Sequence, residues 1–164
     1  MPGSSFLVEI PQLGARGGGW VALQFALIAA ILVLAIAGPG WPEGARWWLK
    51  GAGVALVFGG AFVVVSAARA LGSSLTPFPR PSHAADIVEA GPYTIVRHPI
   101  YSGGILFFAG IALALSPWAL VGTVALAVLW ALKSRVEERL LVEHDAAYEG
   151  YRSRTRYRLV PFVY

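Results

Sequence analysis

The sequence contains no cysteine, which removes disulfide frameworks, thiolate metal sites, cysteine nucleophiles and iron–sulfur clusters together. Charge is scarce as well. Of the 164 residues, 13% are charged and 57% hydrophobic, where a soluble domain carries ~25% charged residues. A chain this short still exposes about a third of its surface, so the apolar excess has no large core to occupy. A water-soluble globule and a pair of full domains are both excluded, and the mean hydropathy of +0.64 points to one membrane domain over residues 1–164. No charged side chain falls within residues 20–37, 51–68 or 100–132. Transporters and proton relays place ionisable groups near the bilayer midplane, and a haem held by two intramembrane histidines needs them there too. Neither class fits, and no metal site is expected.

What is present are long apolar runs. The first two, 18 residues each, make helices of about 27 Å, close to the ~30 Å hydrocarbon core. The third, 33 residues long, is too long for one span. It contains Ser116-Pro117-Trp118, and a proline disfavours helix at the residue before it. This predicts a hairpin and an all-α, polytopic fold with four transmembrane helices at about 20–37, 51–68, 99–115 and 118–136. The segment before the first run has one basic residue, and no cleavage-site pattern follows the run, so the run reads as a span and not as a signal peptide.

With four spans, one side of the membrane holds Arg16, Arg69, Arg80, Arg97, Lys133, Arg135, Arg139, Arg152, Arg154, Arg156 and Arg158, and the other only Arg46 and Lys50. The positive-inside rule then puts both termini in the cytoplasm, in a bacterial inner or plasma membrane. Trp41, Trp47, Trp48 and Trp118 fall at the outer ends of the spans, Trp20 and Trp130 near the inner ends. His83, His98, His144 and every carboxylate except Glu43 lie on the cytoplasmic side, so polar chemistry belongs to the loop 71–98 and the tail 137–164.

In the loop, Pro77, Pro79 and Pro81 alternate and predict an extended stretch. Gly91-Pro92 starts a turn, and Pro99 suits the first position of a helix. That helix N-terminus offers free N–H groups to a carboxylate or phosphate. Gly103 and Gly104 permit close approach, either of a ligand or of a neighbouring helix. His98 reads equally as an N-cap or as a ligand. In the tail, Lys133 with Glu137 and Arg139 with Glu143 are i,i+4 pairs that suit a solvated helix. Glu137 and Glu138 point about 100° apart, which allows one to face a site and the other a supporting arginine such as Arg135. Tyr148, Tyr151 and Tyr157 interleave with Arg152, Arg154, Arg156 and Arg158. Such a pattern suits single-stranded nucleic acid, but beside four spans it reads better as contact with anionic lipid headgroups, and no nucleic-acid partner is expected.

Taken together these residues form a pattern. Gly91-Pro92-Tyr93 followed by Val96-Arg97-His98-Pro99-Ile100-Tyr101-Ser102-Gly103 resembles the G-x-Y…V-R-H-P-x-Y-x-G signature of the isoprenylcysteine carboxyl methyltransferases, which group with the membrane phospholipid N-methyltransferases. A helical hairpin, Glu137-Glu138-x-Leu140-Leu141, Tyr148-x-x-Tyr151 and Arg158-Leu159-Val160-Pro161 follow in the family's order, and Thr76-Pro77 is similar to the family's turn after the second span. The resemblance covers about residues 74–161. It departs at residues 139–147, which lack the F-G pair of many relatives, and in having two spans before the shared region where relatives often have an extra one.

The resemblance implies methyl transfer from S-adenosylmethionine, with no Rossmann domain. Gly17-Gly18-Gly19 precedes a span and lacks the βαβ unit of a dinucleotide site, so it reads as a flexible approach to the first helix. The implied cofactor residues are His98, Pro99, Tyr101, Gly103, Gly104, Glu137, Glu138, Tyr148, Leu159 and Pro161. His98 and the N–H groups of the third helix would take the methionine carboxylate, Glu137 or Glu138 the ammonium, and residues 159–161 would cover the adenine. Arg97 and Glu138 are the catalytic candidates, and Arg97 would also add charge at the carboxylate. An amine acceptor needs a base, Glu138 or His98; a carboxylate acceptor needs only a positioning cation, Arg97 or Arg135. The leading expectation is N-methylation of a phospholipid amine that enters from the bilayer. Carboxyl O-methylation of an isoprenylcysteine-like acceptor is one alternative, and a non-enzymatic module that binds anionic lipid through its basic tail is another. Nothing in the sequence speaks to the oligomeric state.

Overall fold

The computed structural model describes residues 17–79 and 87–163. Arg16, Arg80, Pro81 and His83, used above to read charge and loop geometry, lie outside the described residues. The described residues form five α-helices: α1 (Gly18–Ala37), α2 (Glu43–Leu71), α3 (Pro99–Leu115), α4 (Pro117–His144) and the short α5 (Ala147–Arg154). Among the described residues the only β pairing is one parallel bridge between Val96 and Tyr157. Three helices, α1, α2 and α4, are long and apolar enough to cross a membrane, and α3 is a shorter apolar helix of 17 residues.

The expected hairpin is present, and its break falls at Ser116. That residue is extended at φ −155°, fully buried, and donates its hydroxyl to Pro39 O at 2.9 Å. Two helices run past the expected spans, α4 as the helical charge pairs of the tail imply. Helix α2 begins at Glu43 and α4 runs on to His144, because charge marks where hydrocarbon ends and does not stop a helix. The glycine run before the first span also behaves otherwise. Gly18 and Gly19 are helical, and Gly17 takes φ 77° with Pro79 so close that a Cβ there would sit 2.7 Å from its ring. The α2–α3 loop is thereby pressed against the start of α1.

Helices α2 and α3 are held by backbone-to-backbone proximity. Gly53 and Gly60 are seven residues apart, as are Gly103 and Gly110, so each pair shares one helix face. Gly53 meets Gly110 and Gly60 meets Gly103. A Cβ on Gly60 would lie 2.5 Å from Gly103 O, and one on Gly110 would lie 2.6 Å from Gly53 O. In a solvent as apolar as the side chains, such packing is what joins helices. The larger buried side chains come from α1 and α4, Trp20, Ile31, Leu126, Leu129 and Trp130, with Ile105 and Phe108 of α3 packed against them. Trp20 and Trp130 are thus core residues and not members of an interfacial belt, whereas Trp47, Trp48 and Trp118 are exposed. Phe25, Val33, Phe58, Phe62 and Val124 are exposed along the helices, as lipid-facing side chains would be.

Gly60→Ala should therefore force α2 and α3 apart and lower stability by about 1–3 kcal/mol. Gly59→Ala, whose Cβ meets nothing within 4 Å, should be neutral or slightly stabilising. Thermal unfolding of the two variants in the same detergent checks the contrast.

Candidate functional site

The turn expected at Gly91-Pro92 is a single 3₁₀ turn, Gly91–Thr94, with Gly91 at φ 59°, a backbone region open to glycine at little cost. It delivers the Arg97-His98-Pro99 segment to the first turn of α3. There the tail pairs with it: Arg97 N–H donates to Tyr157 O at 2.9 Å and His98 N–H to Arg158 O at 3.0 Å. Tyr101 and Ser102 N–H both donate to His98 O, and Pro99, buried in this turn, has no N–H. The helix start is consequently less open to an anion than its sequence suggested. His98 occupies the N-cap position but makes no side-chain cap bond, since its ring is turned toward α4.

Arg97 and Glu138 form the centre of a buried knot. Arg97 Nε donates to Glu138 Oε1 at 2.7 Å, and Arg97 Nη1 donates to Thr155 O and Arg156 O at 2.8 and 2.6 Å. Arg158 Nη2 reaches Glu138 Oε2 at 2.9 Å, and His98 Nε2 lies 3.2 Å from Glu138 Oε1. Arg97 is 7% exposed and Glu138 3%. The tyrosines of α5 close the knot from outside, with Tyr151 Oη donating to Tyr93 O at 2.8 Å. Arginine support of one carboxylate was expected, from a residue such as Arg135. It comes from Arg97 and Arg158 because the tail folds back along residues 96–98 on this side of α4.

The 100° turn between the two glutamates sends Glu137 the other way, into a cavity of about 440 Å³ that Glu138 does not line. Glu137 Oε1 accepts from Tyr101 Oη at 2.6 Å, and Glu137 Oε2 lies 3.5 Å from His98 Nδ1. The Tyr101 ring is stacked between His98 and Trp130, with centroids 5.6 and 5.3 Å away. Beside them stands Lys133, fully buried, donating to Pro77 O at 2.7 Å and Gln24 Oε1 at 3.1 Å and lying 3.8 Å from Glu137. The expectation of a solvated Lys133–Glu137 pair is overturned, because the α2–α3 loop and α1 cover it. Gln24, which also accepts from Trp130 Nε1 at 2.9 Å, was missed. Its signal was an amide inside an otherwise apolar span, a residue type that glues helices together.

An apolar wall comes from Leu71, Leu75, Phe78, Ile87 and Val88, with Leu141 beside Glu137 on α4. Residues 159–161, expected to cover a ligand, do not line the cavity. Leu159 is buried and its carbonyl accepts from Ser102 Oγ, which pins the tail to α3; Pro161 follows it outside the cavity. Gly103 and Gly104 are also filled from the protein side. A Cβ on Gly103 would meet Gly60 O at 2.8 Å, and one on Gly104 would meet the Trp130 ring at 2.6 Å, so helix packing accounts for both. Tyr148 does line the cavity. It is 4% exposed, and its hydroxyl has no hydrogen-bond partner among the described residues. Burial, with the nearby Glu138 charge second, pushes its phenol well above the ordinary range. Burial and then the Glu137 charge push Tyr93 up to about 12. Both phenols stay protonated at neutral pH.

Fold and site together define a class: an all-helical membrane protein whose helix bundle carries a half-polar, half-apolar cavity at one end. One family model, described as phospholipid methyltransferase, matches residues 48–146, and the chain belongs to that family. The matched span holds Arg97, His98, Tyr101, Glu137 and Glu138; α5 and the tail that complete the knot lie beyond it. The family is one of methyltransferases, so membership implies an integral-membrane enzyme with a lipid-like substrate. Among curated proteins nothing matches the chain.

Removing one partner of a buried ion pair leaves the other uncompensated, at about 3–5 kcal/mol. Arg97→Ala and Glu138→Ala should each destabilise by that order. A double variant should cost much less than the sum, which a double-mutant cycle on unfolding midpoints checks.

Proposed function

We propose that the cavity binds S-adenosylmethionine and that the protein methylates the amine of a phospholipid headgroup reaching it from the bilayer. The observation that carries this reading is Glu137, a carboxylate only 13% exposed that faces a cavity with an apolar wall. A volume of about 440 Å³ lies within the ~300–1,000 Å³ of small-molecule sites. The donor set also suits the ligand. Glu137 is the partner for its ammonium, the Tyr148 hydroxyl, without a hydrogen-bond partner among the described residues, is one for its carboxylate, and the loop side chains around Leu75 and Phe78 supply an apolar surface for adenine. In this reading the loop and tail face the cytoplasm, following the eleven-to-two division of basic residues.

S-adenosylmethionine supplies, when bound, a methyl group on a sulfonium that is open to displacement. The chain's own part is alignment and exclusion of water, since transfer needs reacting atoms about 3–3.5 Å apart on one axis. Tyr101, stacked on both faces, sets the position of Glu137, and the loop wall keeps water from the cavity. An amine acceptor has to lose a proton before attack. His98, which lies between the two carboxylates and lines the cavity, is the base candidate. Glu138 is less suited, because Arg97 and Arg158 occupy its oxygens. Arg97 then acts as a positioning residue. Amine over carboxylate is favoured by the same geometry: Arg97 is engaged by Glu138 and two carbonyls, and Arg135 does not line the cavity. Arg97 lines the cavity but is held by these bonds, so an amine acceptor suits the site better than a carboxylate.

The test uses purified protein with methyl-labelled donor and a lipid extract. Label should pass to an amine-bearing phospholipid. Glu137→Gln should weaken donor binding at least about tenfold, the size of a charged hydrogen bond, and Tyr148→Phe should weaken it less. If no donor binding is measurable by calorimetry in the parent protein, the non-enzymatic lipid-binding reading replaces this one.

A further inference from the structure

After α5 the tail runs toward the membrane. Its residues 157–159 lie beside residues 96–98, and each step carries the chain closer to α3. Arg97 N–H donates to Tyr157 O, His98 N–H to Arg158 O, and Ser102 Oγ to Leu159 O. Ser102 stands inside the charge-free run that begins at residue 100, so the tail meets α3 at the edge of the hydrocarbon. It meets the side of α3 that faces lipid. Ser102 and Leu106 are four residues apart and share one helix face, and Leu106 is exposed. Gly103 and Gly110 turn to α2 instead, and Gly104 to Trp130 of α4.

Leu159 is buried at this contact, but the apolar side chains that follow it are not: Val160, Phe162 and Val163 are 47, 86 and 80% exposed. They belong to one turn, closed by Val163 N–H donating to Val160 O at 3.2 Å, with Pro161 and Phe162 at its centre. Phe162 sits at φ 66° and is the only non-glycine residue with positive φ among the described residues. The third position of a turn with this backbone ordinarily takes glycine or asparagine, and a bulky side chain there is unfavourable. The ring gains little from the protein in return, meeting Tyr157 with centroids 5.3 Å apart. A strained turn thus holds three apolar side chains outward, at the hydrocarbon edge and beside a lipid-facing helix stripe. Lipid is the surrounding that continues from that stripe over the turn, and apolar side chains with an amphipathic aromatic beside them suit the membrane interface.

We propose that the turn 160–163 is a membrane wedge, led by Phe162 and inserted where headgroups meet acyl chains. The strand that brings the Thr155 and Arg156 carbonyls to Arg97 is then tethered to the bilayer as well as to the protein. This inference concerns the lipid surface and stands apart from donor binding in the cavity. Because the chain has no cysteine, a single introduced one can carry a nitroxide without background. The full chain with Val163→Cys, in vesicles of dioleoyl phosphatidylcholine, is compared by power-saturation EPR with Ser153→Cys, an exposed position on α5. The label at 163 should be relaxed by oxygen more than by a water-soluble nickel chelate, at a depth of about 5–10 Å into the boundary of headgroups and acyl chains. The label at 153 should show the reverse. Adding Phe162→Gly, which suits a positive φ, should move the label at 163 outward, while the unfolding midpoint in detergent stays the same or rises. Chelate access at 163 equal to that at 153 would overturn the proposal, as would shielding from both reagents or an unchanged depth in the glycine variant. Spin–spin broadening that vanishes on dilution with unlabelled chain would assign the turn to a second copy and overturn the lipid wedge as well.

Discussion

The Arg97–Glu138 ion pair is the constraint on which the rest of this end of the molecule depends. Two charges at 7 and 3% exposure are costly to bury without close partners, and here the chain supplies partners from three separate segments. The guanidinium takes Glu138 and the carbonyls of residues 155 and 156; the carboxylate takes the α3 start on one oxygen and Arg158 on the other. The pair therefore cannot form unless α4 extends beyond its span and the tail returns after α5. The parallel bridge at Val96 and the Ser102 bond to Leu159 O fix the same return. What looks like a peripheral tail is a structural partner of the loop before α3.

The helices set this end up by a different kind of contact. Glycines at positions 53, 60, 103 and 110 let α2 and α3 lie backbone against backbone, so the α2–α3 loop leaves and returns within a short distance. Its described residues fold over the ends of α1 and α4. Lys133 holds it there through Pro77 O, and Gly17 admits Pro79 at the start of α1. A buried lysine is tolerated because its ammonium has an amide oxygen, a carbonyl and a neighbouring carboxylate to meet, and an aromatic face 5.4 Å away. The cavity exists because the loop is carried across polar groups that it does not fully fill.

Much of this was legible in the sequence. Apolar runs, the Ser116-Pro117 break and the scarcity of charge lead to four apolar helices with no structural information. Arg97, His98, Tyr101, Glu137 and Glu138 stand out by type and spacing, and the fold brings all five together. The misses share one physical origin. Spacing along a helix shows that Lys133 and Glu137 can meet, but not that another segment will bury them. It shows that Gly103 allows close approach, but not whether a ligand or Val64 arrives. Gln24 and Pro77 O enter the site only through tertiary contact, and a backbone carbonyl leaves no mark on residue identity. The reversal of tail and loop, with the loop rather than residues 159–161 lining the cavity, has the same cause. Both segments are apolar and of suitable length, and only the Arg97–Glu138 knot decides which lies inside.

That knot also explains why two glutamates stand side by side. A single carboxylate at this height would have to serve both as the counter-charge to Arg97 and as the free anion of the cavity, and the arginine would win because it is closer and better aligned. Placing a second glutamate one residue on, rotated by about 100°, separates the duties. Glu138 absorbs Arg97 and Arg158, and Glu137 is left with a tyrosine hydroxyl, an imidazole at 3.5 Å and an ammonium at 3.8 Å. None of these neutralises it as a paired guanidinium would. The division holds only while the tail keeps Arg158 and the carbonyls of 155 and 156 in place, so the anionic face of the cavity is set by residues that never line it.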